Sequence, residues 1–339
     1  MVTLSTVQTS NKSISEALPP GRISIFVGAT SGIGKASLIH YAKYAPQPRI
    51  YFIGRSQQAA DEISKQLQET NPEGSYTFIK ADAGLLKNVD EVCEQIKDKE
   101  ESISLLFQSQ GTLDMSTQTT ENLPLITALG YYSRMRFVAN LLPLLQKSSS
   151  PSTAISVLSG TKEGPIDPKD IAGKNVKPWN ARGHISSLST LTFEHFADIA
   201  PEVTFIYSYP GFVDTPIGNS MKGLAGAIMR GMFTVYRAVG PKIPYVSFEE
   251  TGERYTFLAT GSRFPSKQKS KSLSQHGDEV AVGSNGKIGS GVYTLDEVCE
   301  SGDAKVQEIL QGLREAGLGP KIWEHLQEEF KRITGKGSI

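Results

Sequence analysis

Along the chain, short apolar runs rich in β-branched residues alternate with longer stretches of helical spacing. The runs at 23–27, 50–53, 76–79, 104–107, 154–158 and 203–207 show little polar alternation, as expected of strands covered on both faces. Between them, AADEISKQLQET, NVDEVCEQIKDKE and SRMRFVANLLPLLQK place apolar residues three and four apart, so each predicts a helix with one buried stripe. Repeated βα units of this kind predict an α/β fold: a doubly wound parallel sheet, Rossmann-type, in three αβα layers.

The same pattern divides the chain. Residues 1–20 are rich in Ser and Thr, lack a charged start followed by an apolar core, and read as a flexible N-terminal segment with no secretory signal. Residues 21–262 form the predicted nucleotide-binding domain, including a lid segment at 217–245. Within that lid, MKGLAGAIMRGMFTVYRAVG carries Lys222, Arg230 and Arg237, which argues against stable membrane insertion. Residues 263–339 read as a C-terminal extension, with a polar loop at 264–280.

Charge and cysteine content narrow the function classes. Lys plus Arg and Asp plus Glu number 35 each, so no cationic excess points to nucleic acid or an anionic membrane as partner. A small-molecule substrate is the better expectation, and a homo-oligomer is allowed. The two cysteines, Cys93 and Cys299, supply neither a disulfide framework nor a zinc cluster, so no metal site is expected. A reducing, cytoplasmic setting fits.

The stretch VGATSGIGKASL follows the first strand and opens a helix. Gly28, Gly32 and Gly34 let the backbone turn tightly and approach a ligand, while the unpaired first amides of the helix suit a pyrophosphate. The stretch resembles the glycine motif of the short-chain dehydrogenase/reductase family, with Val27 where that family usually has threonine. The resemblance spans residues 22–262, and ERYTFLAT together with the C-terminal tail is similar to large fungal relatives. It implies that Gly28, Thr30, Ser31, Gly32, Ile33 and Gly34 cradle the cofactor. Arg55 and Ser56 stand where an acidic residue would grip the ribose of NAD, so they imply NADP(H) through its 2′-phosphate. Asp82 and Ala83 match the adenine-side segment. Ser109 and Gly111 lie at the end of the fourth strand, and Pro210, Gly211, Val213 and Thr215 match the Pro-Gly segment near the nicotinamide.

The family's catalytic residues do not carry over. Its Tyr-x-x-x-Lys pair falls on Ala181 and Ile185, its helical asparagine on Gly130, and its serine on Gly160, with Ser159 one place earlier. One match to the pair, Tyr76 to Lys80 in YTFIK, lies in the third strand and is assigned to chance. Ser159, His184, Tyr131 and Tyr132 are the candidate catalytic residues near the expected site; a histidine there can act as acid or base near neutral pH. His40, His195, His276 and His325 receive no role. An inserted connection at 161–180 and the lid are sized to enclose a bulky, apolar substrate of secondary-metabolite type.

Two readings follow. In one, the protein is an NADPH-dependent reductase whose electrophilic acceptor needs no tyrosine acid. In the other, the fold serves a non-redox cyclase or isomerase in which positioning supplies the acceleration. A cofactor-binding regulatory protein is a lesser third.

Overall fold

A computed structural model describes residues 1–220, 245–273 and 280–337. Its main sheet has seven parallel strands in the order β3-β2-β1-β4-β5-β6-β9. These are β1 (Ile23–Val27), β2 (Arg49–Gly54), β3 (Ser75–Lys80), β4 (Leu105–Gln108), β5 (Ser152–Val157), β6 (Val203–Ser208) and β9 (Val292–Leu295). Two short strands, β7 (Phe212–Val213) and β8 (Tyr245–Val246), pair separately. The chain winds outward from β1 in both directions. The crevice beyond the carboxyl ends of β1 and β4 is therefore the topological switch point at which such sheets bind ligands.

Strand periodicity builds the two core layers. Ile25 and Val27 of β1 point into one cluster with the helices Leu86–Lys97, Ser133–Gln146 and Pro178–Ile199. Phe26 points the other way, where its ring lies 5.5 Å from Tyr41 and 5.3 Å from Phe107. That second layer holds the helices Gly32–Tyr44, Gln57–Thr70 and Phe248–Thr260.

The start of the chain departs from expectation. The segment 1–20 is not a free tail: helix Leu4–Lys12, capped by Thr3, packs on helix Phe248–Thr260. Buried Asn11 donates to the Glu253 carbonyl at 2.9 Å and to its carboxylate at 2.6 Å. Val2, Val7 and Ile14 are the buried apolar anchors of a segment too polar to announce itself. In the C-terminal extension, β9 pairs with β6 and completes the sheet. Helix Leu318–Thr334 then buries Ile322, Leu326 and Phe330 in the first core layer.

In the polar segment 264–280, Lys267–Leu273 is helical, against the expected loop, and 274–279 lies outside the described residues. Of the lid at 217–245, residues 221–244 lie outside the described residues, after a 3-10 turn at Pro216–Ser220. Among the described residues no helix is long and apolar enough to cross a membrane.

Candidate active site

The turn after β1 depends on glycine at two positions. Gly28 has φ +79°, and a Cβ there would stand 2.5 Å from the backbone nitrogen of Gln110. At Gly34 a Cβ would collide with the Gly28 carbonyl and the Ser109 hydroxyl. The turn and the end of β4 are thus pressed together, with Ser109 Oγ donating to the carbonyls of Val27 and Gly28 at 3.2 and 3.3 Å. Ser31 starts helix Gly32–Tyr44 without a side-chain cap bond, so the first-turn amides keep the free donors that an anion would take.

From the opposite wall the Pro-Gly segment closes over this turn. A Cβ on Gly32 would lie 3.2 Å from Thr215 Cβ, which brings 210–215 against the helix start. Thr30 packs beside Gly54 at the end of β2. Arg55 and Asp82 share a second cavity of ≈ 470 Å³ with Lys80, Asn88 and Glu91. Ser56 Oγ accepts from the Ala59 amide at 3.2 Å as a helix cap, leaving its hydroxyl proton available to donate. Asp82 accepts from the Gly84 amide at 2.9 Å, which orders the segment containing buried Ala83.

Between the turn and the Pro-Gly segment opens a cavity of ≈ 810 Å³. Ile33, Ser109 and Thr215 line it from the glycine-turn side, and Ser159, Ala181 and Ile185 line it from the other. The two positions matched to the family's tyrosine and lysine therefore face the cleft and present only a methyl and a butyl group. Ser159 Oγ sits 2.7 Å from Ser186 Oγ and 3.1 Å from the Tyr207 hydroxyl. Gly160 turns elsewhere: a Cβ there would press on the backbone carbonyls of Tyr207 and Leu295.

The other catalytic candidates are not brought to this cavity. His184 is buried with Nε2 donating to the Ile171 carbonyl at 3.0 Å, and burial pushes it below the usual histidine range, so it stays neutral and packs under the inserted loop. The chain widens to a π-helical turn over Ala128–Tyr132, which sends Gly130 to the cavity and both tyrosines away from it. Tyr131 bonds Thr192 Oγ1 at 2.8 Å, and Tyr132 bonds His325 Nε2 at 2.8 Å. Burial raises both phenols above the ordinary tyrosine range. Of the histidines given no role, His195 stacks on Trp323 with ring centroids 3.9 Å apart, while His276 lies outside the described residues. Among the described residues no cluster suits a metal ion.

Three residues unmarked by sequence reasoning stand at the site. Arg134 is fully buried beneath its floor. It donates to the carbonyls of Leu129 (3.0 Å), Gln108 (3.2 Å), Val157 (2.9 Å) and Gln110, and to Ser156 Oγ (2.7 Å). Nothing in SRMRF distinguishes it from a surface cation. Tyr209 and Arg182 line the cavity, and the guanidinium lies 4.7 Å from the ring centroid. Lys80 was visible as the basic end of YTFIK; the side chain serves the rim near Arg55 rather than a catalytic pair. Tyr76 of that match donates to the Asn71 carbonyl at 2.8 Å, far along the strand.

Fold and site together define a doubly wound α/β enzyme with a glycine turn at its switch point. The family model described as short chain dehydrogenase matches residues 22–165. The chain is 37% identical over 334 residues to Oxidoreductase AN1596 of Emericella nidulans, covering 96% of this chain and 97% of that one. It is 32% identical to Oxidoreductase andH of Emericella variicolor, covering 92% of each. The NADPH-bound carbonyl reductase from chicken fatty liver superposes with a TM-score of 0.55 at 13% identity, over 84% of this chain and 99% of that one. The protein belongs to the short-chain dehydrogenase/reductase family.

Proposed function

We propose that this protein is an NADPH-dependent reductase of a bulky, apolar, electrophilic small molecule, of the kind handled in secondary metabolism. The carrying observation is that one ≈ 810 Å³ cavity is walled on one side by Ile33, Ser109 and Thr215 and on the other by Ser159, Ala181 and Ile185. A molecule held there abuts the residues suited to the cofactor. The oxidoreductase names of the full-length fungal relatives favour the same reading.

The residues fit the dinucleotide. Gly28 and Gly34 let the turn pack tightly on the end of β4, and the uncapped start of helix Gly32–Tyr44 offers amides to a pyrophosphate. Arg55 and Lys80, on one rim, supply cations for a 2′-phosphate, and Asp82 and Ala83 flank the adenine side. Pro210, Gly211, Val213 and Thr215 would hold the nicotinamide end. When bound, the cofactor supplies a hydride.

Ser159 offers a hydroxyl to the acceptor, and its links to Ser186 and Tyr207 fix its position. Ala181 and Ile185 donate nothing, so the acceptor must be electrophilic without protonation at 181, as an iminium or an enone is. With both cysteines buried and unpaired, the enzyme suits a reducing cytoplasm.

The aliphatic side chains at 181 and 185 favour one second reading, a cyclase or isomerase in which the dinucleotide only shapes the pocket. Incubation of aryl enones and cyclic iminium ions with 4-deuterated NADPH, with NADP⁺ and with no cofactor separates the two. Reduction predicts deuterium in the product and no turnover with NADP⁺. Label-free product formed equally with NADP⁺ would overturn it.

A further inference from the structure

Two cations flank Tyr209 on the wall of the central cavity: Arg182 lines the cavity, and Lys162 stands beside the same ring outside that lining. Arg182 Cζ lies 4.7 Å and Lys162 Nζ 5.0 Å from the ring centroid of Tyr209. Arg182 and Tyr209 line the cavity, and among the described residues neither cation is engaged in an ion pair. The other charged lining residue, Asp214, precedes Thr215 and so belongs to the end that packs on Gly32. The cavity therefore has a basic end at Arg182 and apolar side chains such as Leu113, Ile126, Leu158 and Ile185 along its walls.

The basic end is held in place. Gly183, the next residue, packs so closely on Gly164 that a Cβ on either would lie 3.0 Å from the other's Cα. The Gly164 amide donates to the Gly183 carbonyl at 3.1 Å. The Ser186 hydroxyl reaches both the Arg182 carbonyl, at 2.8 Å, and Ser159 Oγ, at 2.7 Å. The backbone carrying Arg182 is thus tied to the Ser159 hydroxyl, which lines the same cavity. A planar guanidinium on an anchored backbone is suited to paired hydrogen bonds with a carboxylate, and Lys162 adds charge without a directional demand.

We propose that this cluster selects the substrate class: a bulky apolar molecule bearing an ionised carboxylate, with the acid on Arg182 and Lys162 and the apolar body along the cavity toward Ser159. The assignment rests on reading this cavity as the substrate site, and it concerns binding alone.

The test uses a fluorescent aromatic acid and its neutral ester, 9-anthroate and methyl 9-anthroate, titrated against the full-length protein without cofactor. One charge-assisted contact corresponds to about tenfold or more in affinity. The acid is expected to bind at least about tenfold more tightly than the ester. Arg182→Gln should remove most of that preference while leaving ester affinity unchanged, Arg182→Lys should keep part of it, and added salt should weaken only the acid. Circular dichroism checks that each variant folds. Equal affinity of acid and ester for the wild type, or an acid preference that survives Arg182→Gln, overturns the proposal. Because no hydride is involved, such a result leaves the reductase reading intact, and label-free turnover would in turn leave the acid preference untouched.

Discussion

Arg134→Met removes the cation beneath the site floor while keeping the length and apolar bulk of the side chain. In the wild type the guanidinium serves four backbone carbonyls and the Ser156 hydroxyl, with no carboxylate among these partners. Burial pulls Arg134 down to about 10, against an ordinary 12.5. A displacement of that size corresponds to roughly 3 kcal/mol opposing the charged form, which the substitution relieves. Against that, five buried acceptors lose their donor at ~1–3 kcal/mol for each one left unpaired. The losses outweigh the relief, and the expected net cost is about 4 kcal/mol, within the range for breaking one side of a buried charged network. Because a Cβ on Gly111 would lie 3.9 Å from Nη2, the loop that lines the cavity loosens with it, and NADPH affinity should fall as well. Urea unfolding followed by circular dichroism measures the first effect and cofactor titration of the folded variant the second. An Arg134→Met protein within about 1 kcal/mol of wild type would refute the bookkeeping.

Arg55→Asp should erase a preference for NADPH over NADH of about tenfold or more, read by titrating both cofactors; equal wild-type affinities would remove the role given to Arg55. Glu163 is buried, accepting from Thr190 and Thr294 at 2.7 and 2.6 Å, and burial raises it above the usual carboxylate range. The folded state therefore holds this proton after the unfolded chain has lost it, so Glu163 costs stability as pH rises through its folded value. Glu163→Gln should accordingly raise the melting temperature at pH 8, with the gain shrinking in acid, and a pH-independent change would contradict the assignment. Asn11→Ala forfeits the two bonds to Glu253 and should cost ~1–3 kcal/mol in chemical denaturation, whereas a mobile N-terminal segment would show no loss.

The sheet was legible because its strands are apolar on both faces, and the glycine turn because Gly28 and Gly34 meet backbone that any side chain would strike. The matched positions Ala181 and Ile185 could be counted from the helix they occupy, and both reach the cleft. What could not be read was direction. Tyr131 and Tyr132 lie on a π-helical turn and are buried against Thr192 and His325, partners contributed from far along the chain. His184 sits nearly two turns into its helix, where the inserted loop covers it, and no local pattern reports that cover. Arg134 has the same sequence surroundings as an exposed cation, and nothing local marks Arg182 as a cavity residue. Their partners are carbonyls and an aromatic face contributed from elsewhere in the chain.

The late arrival of β9 has a consequence for synthesis. As the polypeptide is made from its N-terminus, β6 emerges about eighty residues before the strand that pairs with its outer edge. In that interval the other six strands can assemble, yet β6, buried along its whole length in the finished protein, presents unpaired amides and carbonyls to other nascent chains. The same docking finishes the loop after β5: the Thr161 amide donates to Thr294 Oγ1 at 2.7 Å, and Gly160 seats against the Leu295 carbonyl. A chain interrupted before residue 292 is therefore left with both a sticky edge and an unseated loop at Gly160 and Thr161, so that a settled cavity wall and resistance to aggregation are acquired in one late step.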